Sequence, residues 1–265
     1  MLDTVQYLLG AGSGALVGFV LGLVGGGGSI LAVPLMVYLV GVSNPHVAIG
    51  TSALAVAVNA ATGLVHHARS KTVKWRCAST FALAGVVGAF AGSSFGKAFD
   101  GEKLLFLFAL VMIGVGILMM RGRGNTGNPD VVCNRENAGK VLSFGAGTGA
   151  FSGFFGIGGG FLIVPGLVAA TGMPMINAIG SSLVAVTAFG LTTALNYAVS
   201  GLIDWLLAAA FIAGGVLGGL GGAKAASRLS ESRGKLTSIF AGLIFVVAAY
   251  MLLRSASAFQ LAELI

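Results

Sequence analysis

Gly22-Leu23-Val24-Gly25-Gly26-Gly27-Gly28-Ser29-Ile30-Leu31-Ala32-Val33-Pro34 decides the fold, because the chain carries this stretch twice. The second copy reads Gly153-Phe154-Phe155-Gly156-Ile157-Gly158-Gly159-Gly160-Phe161-Leu162-Ile163-Val164-Pro165. Outward from the glycine run the match continues at constant spacing, Gly14 and Gly18 recurring as Gly145 and Gly149. Past a single deletion, Ala48-Ile49-Gly50 and Ser52 recur as Ala178-Ile179-Gly180 and Ser182. Further on, Trp75, Phe81, Gly85, Gly88 and Gly92 recur as Trp205, Phe211, Gly215, Gly218 and Gly222. The chain is a tandem duplication, and both halves interrupt a helix at the same place. In a membrane protein such paired interruptions point to a binding site where the repeats meet.

Composition places the chain in a membrane. Of its 265 residues 56% are hydrophobic and 9% charged, and mean hydropathy is +0.97. A soluble domain of this size cannot hide that much apolar surface. Apolar segments run over 5–24, 29–41, 47–65, 77–96 and 104–120, then over 141–155, 160–171, 176–198, 205–223 and 236–253. They lack the polar/apolar alternation of barrel strands, so the expected fold is an all-α polytopic membrane protein. The 44 glycines greatly exceed an average of about 7%. Scattered ones, such as Gly85, Gly88, Gly92, Gly214, Gly215, Gly218 and Gly219, read as close helix–helix contacts. Cys77 and Cys133 show neither metal spacing nor a disulfide framework and read as incidental thiols. No basic n-region precedes the first apolar stretch, so no signal peptide is expected. The net charge of +7 gathers at the ends of apolar segments, where orientation signals and lipid contacts belong. That placement makes membrane lipid a partner and excludes nucleic acid.

Charge also sets the expected orientation. The connection His66–Arg76 carries Arg69, Lys71, Lys74 and Arg76, whereas its counterpart Ser200–Trp205 carries Asp204 and no fixed positive charge. The next pair reverses. Lys97, Asp100, Glu102 and Lys103 cancel, while Lys224, Arg228, Arg233 and Lys235 outweigh Glu231. By the positive-inside rule, equivalent connections lie on opposite sides. The expectation is two inverted repeats of about four to five hydrophobic segments, each with a glycine-broken helix near its start. Repeat one spans 1–121, a cytoplasmic linker 122–139 and repeat two 140–265, with both termini outside a cell inner membrane. The first two segments of each repeat either cross separately or form a hairpin whose tip ends in the membrane.

The glycine runs have a physical use. Consecutive glycines do not hold an α-helix, each costing about 1 kcal/mol relative to alanine. Broken backbone at membrane depth survives only where protein buries it or where it lines an aqueous cavity. A helix restarting there aims free N–H groups and its positive dipole end at that cavity. Bare glycines let an anion approach those groups closely. Gly26, Gly27, Gly28 and Ser29, with Gly158, Gly159 and Gly160, are therefore candidate substrate-binding residues; tight packing is the plainer use. Thr51, Ser52, Ser181 and Ser182 follow a proline turn in each repeat. Their hydroxyls either bond anionic oxygens or serve the helices themselves, by back-bonding or as interhelical glue. Asn59 lies inside an apolar segment with no charged neighbour and joins the candidate set. Asn196 lies near the far end of the equivalent segment. His66 and His67 adjoin the basic connection, and Trp75 and Trp205 read as interfacial anchors.

The glycine break with its following proline, then Ala48-Ile49-Gly50-Thr51-Ser52 and Ala178-Ile179-Gly180-Ser181-Ser182, resembles the TauE/SafE family of sulfite and organosulfonate transporters. The resemblance covers essentially the whole chain. It implies a bacterial inner-membrane permease for sulfur-containing anions such as sulfite, thiosulfate or an organosulfonate, without naming one. Asp and Glu are confined to segment ends and connections, which argues against a carboxylate proton relay. An inside-negative potential favours anion export by about 2.3 kcal/mol per charge per 100 mV. The leading expectation is a secondary transporter whose repeats rock about a mid-membrane anion site. The alternatives are a proton- or sodium-coupled importer, a passive anion channel and a membrane scaffold. Membrane-depth paired carboxylates and Cys/His groupings are absent from the sequence, so neither an enzyme nor a metal or cofactor is expected. The glycine-rich faces also suit a homodimer.

Overall fold

The computed structural model describes residues 3–121, 128, 131, 133, 135–156, 160–228, 242 and 244–254. Its first helix, α1, spans Thr4–Val24. Asp3 and Gln6 start it, the Asp3 N–H donating to Gln6 Oε1 at 2.8 Å as one half of a capping box. At the four glycines the α winding gives way. Gly25–Leu31 turns as a 3₁₀-helix, Ala32–Pro34 as a single α turn and Leu35–Leu39 as a π turn; this composite is α2. Pro34 has no N–H to give, and just past it the turn widens. Val40 donates to the Leu35 carbonyl at 2.9 Å and Val42 to that of Met36 at 3.0 Å.

The remaining helices are α3 (Pro45–Arg69), α4 (Trp75–Ala98), α5 (Gly101–Arg121), α6 (Arg135–Phe155), α7 (Gly160–Thr171), α8 (Met175–Val199), α9 (Trp205–Arg228) and α10 (Ile244–Arg254). Asn44 caps α3, its side-chain oxygen accepting from the His46 N–H at 2.9 Å, with Pro45 opening the helix. Gly41 and Gly172, equivalent positions with φ of +79° and +72°, end α2 and α7 in the left-handed conformation. Among the described residues there is no strand, and five helices are long and apolar enough to cross a membrane. The all-α multi-pass fold stands as expected. The helical part of repeat two starts earlier than the charges suggest, because Arg135–Lys140 winds into α6. Of the expected segment 236–253, residues 236–241 and 243 lie outside the described residues, and the rest falls largely in α10.

Small residues decide which helices touch. In α1, Gly14 and Gly18 face the backbone of Phe211 and Gly215 in α9, while Gly214, Gly218 and Gly222 face Ala11, Ala15 and Phe19. The equivalent pair is α6 on α4: Gly145 and Gly149 face Phe81 and Gly85, and Gly88 and Gly92 face Ala146 and Ala150. Each repeat's first helix is thus zipped, in parallel, to a helix of the other repeat. The equivalent helices α3 and α8 pack on one another in antiparallel fashion, Gly50 beside Tyr197, Ala57 beside Gly190 and Gly63 beside Leu183. Large apolar side chains on α4 and α9, among them Leu83, Val87, Leu217 and Leu220, lie exposed, as lipid-facing residues do. Trp75 and Trp205, also exposed, open these two helices at equivalent positions.

The cysteines are not the incidental thiols that their spacing suggests. Cys77, in the first turn of α4, and Cys133 form a disulfide with Cα atoms 5.2 Å apart. They are separated by 56 residues, so no local spacing advertises a pairing that arises only when α5 returns the chain to the start of α4.

Candidate functional site

Equivalent hydroxyls make equivalent bonds. Thr51 Oγ1 accepts the Asp204 N–H at 3.0 Å, and Ser181 Oγ accepts the Lys74 N–H at 2.9 Å. Each thereby satisfies a backbone donor at the start of α9 or α4, a helix of the opposite repeat. The glycine before each hydroxyl makes room for this. A Cβ on Gly50 would strike the Leu202 carbonyl, and one on Gly180 would strike Thr72. Asn177 strengthens the second joint by donating from Nδ2 to the Thr72 carbonyl at 2.9 Å. The following serines bond within their own helices, Ser52 Oγ to the Ile49 carbonyl at 3.0 Å and Ser182 Oγ to that of Ile179 at 2.8 Å. The Ala-Ile-Gly-Thr/Ser-Ser element is therefore a joint between repeats, whatever else it does. Thr51→Val and Ser181→Ala should each lower unfolding free energy by about 1 kcal/mol, the usual value of a lost cap, measured as the thermal midpoint in detergent. Ser52→Ala should lower it by much less, because its back-bond adds nothing to the helix.

The two glycine runs meet different helices. Gly156, with φ +67°, ends α6 against Ile49, whose Cγ2 occupies the place a Cβ would take. The second break thus meets α3 immediately beside Gly50, Thr51 and Ser52. Gly158 and Gly159 lie outside the described residues, and Gly160 opens α7. The first break, Gly25–Leu31, lies against α7 and α8, with Ser29 fully buried. Asn59 lies apart from the Ile49–Ser52 joint. At 1.5 Å per residue it lies about 15 Å further along α3 from Ile49, close to where α3 crosses α8. It is 3% exposed and rests on the bare Cα of Gly215. Neither its Nδ2 nor its Oδ1 has a hydrogen-bond partner among the described residues.

One polar network has no counterpart in the sequence patterns. Lys97, at the end of α4, donates to the Asn196 carbonyl at 2.9 Å, to Asn196 Oδ1 at 2.8 Å and to Ser200 Oγ at 2.8 Å. Asn196 Nδ2 in turn donates to Ser93 Oγ at 2.7 Å and Ser94 Oγ at 3.0 Å. The polar residue near the end of α8 was the available signal. Its partner hid among charges that cancel in the sum.

Buried hydroxyls where the repeats join, helix interruptions at repeat-equivalent places and five helices long and apolar enough to cross a membrane belong to a multi-pass membrane protein. The sulfite exporter TauE/SafE family model matches residues 10–251. The chain belongs to that family. Across 95% of its length it is 53% identical to a probable membrane transporter protein of Xylella fastidiosa strain 9a5c, covering 97% of that protein. It is also 27% identical over 233 residues to the probable membrane transporter protein YunE of Bacillus subtilis, covering 79% of this chain and 85% of YunE. A probable membrane transporter protein of Methanocaldococcus jannaschii, MJ0441, is 30% identical over 205 residues, with 73% of this chain and 71% of MJ0441 covered. No solved structure matches. As a TauE/SafE protein the chain is a multi-pass membrane transporter.

Proposed function

We propose that this TauE/SafE protein is a secondary carrier for a small sulfur-containing anion (sulfite, thiosulfate or an organosulfonate) in the bacterial inner membrane. The observation that carries the reading is the paired construction of the interface between repeats. Each repeat contributes a glycine break, and Thr51 and Ser181 make matching bonds to the opposite repeat's helix start. The antiparallel packing of the equivalent helices α3 and α8 supports an inverted relation between the halves, the arrangement in which carriers rock one repeat against the other. The N–H groups that open α7 at Gly160 offer an anion neutral donors and a positive dipole end, whereas those of the first run are turned into the 3₁₀ pairing of Gly25–Leu31 and do not face a helix start as the sequence suggests. Coupling to a proton or sodium ion, or passive conduction, would use the same parts.

Flux of sulfite, thiosulfate and a small organosulfonate into liposomes, against chloride and with imposed potential and proton gradients, tests the reading. Saturable flux with counterflow is the expected result. Non-saturating flux identifies a channel, and dependence on the proton or sodium gradient identifies an importer of the coupled kind. Gly27→Val and Gly159→Val are expected to lower that flux at least tenfold while leaving inserted, folded protein. Undiminished flux in both variants removes the glycine breaks from the transport site.

A further inference from the structure

The duplication maps Asn59 of α3 onto Phe189 of α8, and the two residues occupy matching surroundings with opposite chemistry. Phe189 is fully buried and fills the space over Gly85 of α4. It also stacks on Phe81, their ring centroids 6.3 Å apart and the planes inclined by 19°. Asn59 takes the corresponding place over Gly215 of α9, the equivalent of Gly85. Both stand beside the α3–α8 crossing, fixed by Ala57 against Gly190. One side of the crossing is closed by a phenyl ring. The other holds a shorter amide with two N–H donors and an acceptor oxygen, none of them satisfied by the described residues.

Burying an unsatisfied amide is costly, more so at a depth without water. A helix crossing with free choice would carry an apolar residue there, as its own duplicate does. We propose that Asn59 is the specificity-determining contact of a single ligand position, off the axis of the duplication, which takes the oxygens of a small oxyanion through the amide N–H groups. The carrier reading above is its premise. Phe189 fills the symmetric position, so the two repeats share one ligand instead of holding one each. A neutral donor suits this depth: it recognises anionic oxygen without burying a second charge, and it discriminates against chloride, which cannot match two directed donors.

The test uses full-length protein in liposomes, with sulfite, thiosulfate and chloride as probes, and follows thermal unfolding in parallel. Asn59→Leu is expected to raise KM for the transported oxyanion roughly ten- to hundredfold, the worth of a hydrogen bond to a charged group. It should also erase oxyanion-induced stabilisation and leave the ligand-free midpoint unchanged or higher. Asn59→Asp should abolish oxyanion flux by placing a like charge at the contact. Wild-type flux with unchanged KM and selectivity in Asn59→Leu overturns the inference and leaves the carrier reading intact. A lowered ligand-free midpoint with unchanged KM does the same and assigns the amide to an ordered water. Folded wild-type protein that moves neither oxyanion defeats the carrier reading first, and this inference with it.

Discussion

Gly18→Val should unfold the α1–α9 pair, and Gly149→Val should unfold α6–α4 to the same extent. A side chain at Gly18 would meet the backbone carbonyl of Gly215, and one at Gly149 the backbone carbonyl of Gly85. The obstacle is main chain, so no rotamer change relieves it. The helices must separate, and the neighbouring contacts of each ladder open with them. Overpacking a core costs about 1–3 kcal/mol when side chains can shift, so a cost of about 3 kcal/mol or more is expected here, against a marginal total stability. The controls lie on the same helices. At Gly12 and Gly147 nothing beyond the helix's own local backbone stands within 4 Å of the place a Cβ would take, and valine at either should leave the stability within about 0.5 kcal/mol of wild type. The measurement is the unfolding midpoint of detergent-purified protein, read with its size-exclusion profile. Equal losses at Gly18 and Gly149 with none at Gly12 and Gly147 are the expected pattern. A loss at all four would mean that glycine content, and not the ladder geometry, sustains the fold.

Those ladders were legible in the sequence, because glycine every fourth residue beside aliphatics has few other uses in a membrane. Duplication was legible too, since two copies of a glycine run followed by proline fix their own register. The function of the Gly50-Thr51 and Gly180-Ser181 pairs was legible only as a choice. Hydroxyls one to two turns into a helix suit a ligand or a neighbouring backbone equally, and only the contact with Asp204 or Lys74 shows which backbone each one serves. The disulfide and the Lys97 network were hidden for a different reason. Both join residues far apart in sequence through the return of a helix, and neither leaves a local pattern. Asn59 was visible as a polar residue in an apolar segment. Its meaning lies in the comparison with Phe189, which needs the register of the second repeat and the two glycines beneath them.

Lys97→Met should loosen the end of the bundle where α4 meets α8. The last carbonyls of α8 have no helical partner, and the ammonium of Lys97 fills that role while its charge complements the negative end of the helix dipole. It reaches across from one repeat to the other, binding Asn196 twice and Ser200 once, with its charge 5.9 Å from the ring centroid of Tyr197. Methionine keeps the apolar stem and removes every donor. The expected loss is about 2 kcal/mol, typical of hydrogen bonds to a charged group, and Lys97→Arg should recover only part of it because a planar fork does not reproduce three converging bonds. At the equivalent position of the other end, α3 carries His66 where α8 carries Asn196, so this set of bonds is not repeated residue for residue. On the rocking-carrier proposal, opening that end must part these bonds, and losing about 2 kcal/mol is then expected to shift the balance toward the state open at that end by roughly thirtyfold. Thr193→Cys reads this directly, since Thr193 is fully buried one turn below Tyr197. With Cys77 and Cys133 replaced by serine, a membrane-impermeant maleimide should label Cys at that position far faster when Lys97 is methionine than when it is lysine. Equal labelling alongside a lowered midpoint would make Lys97 a fastening of the resting fold alone, with no part in the opening of that end.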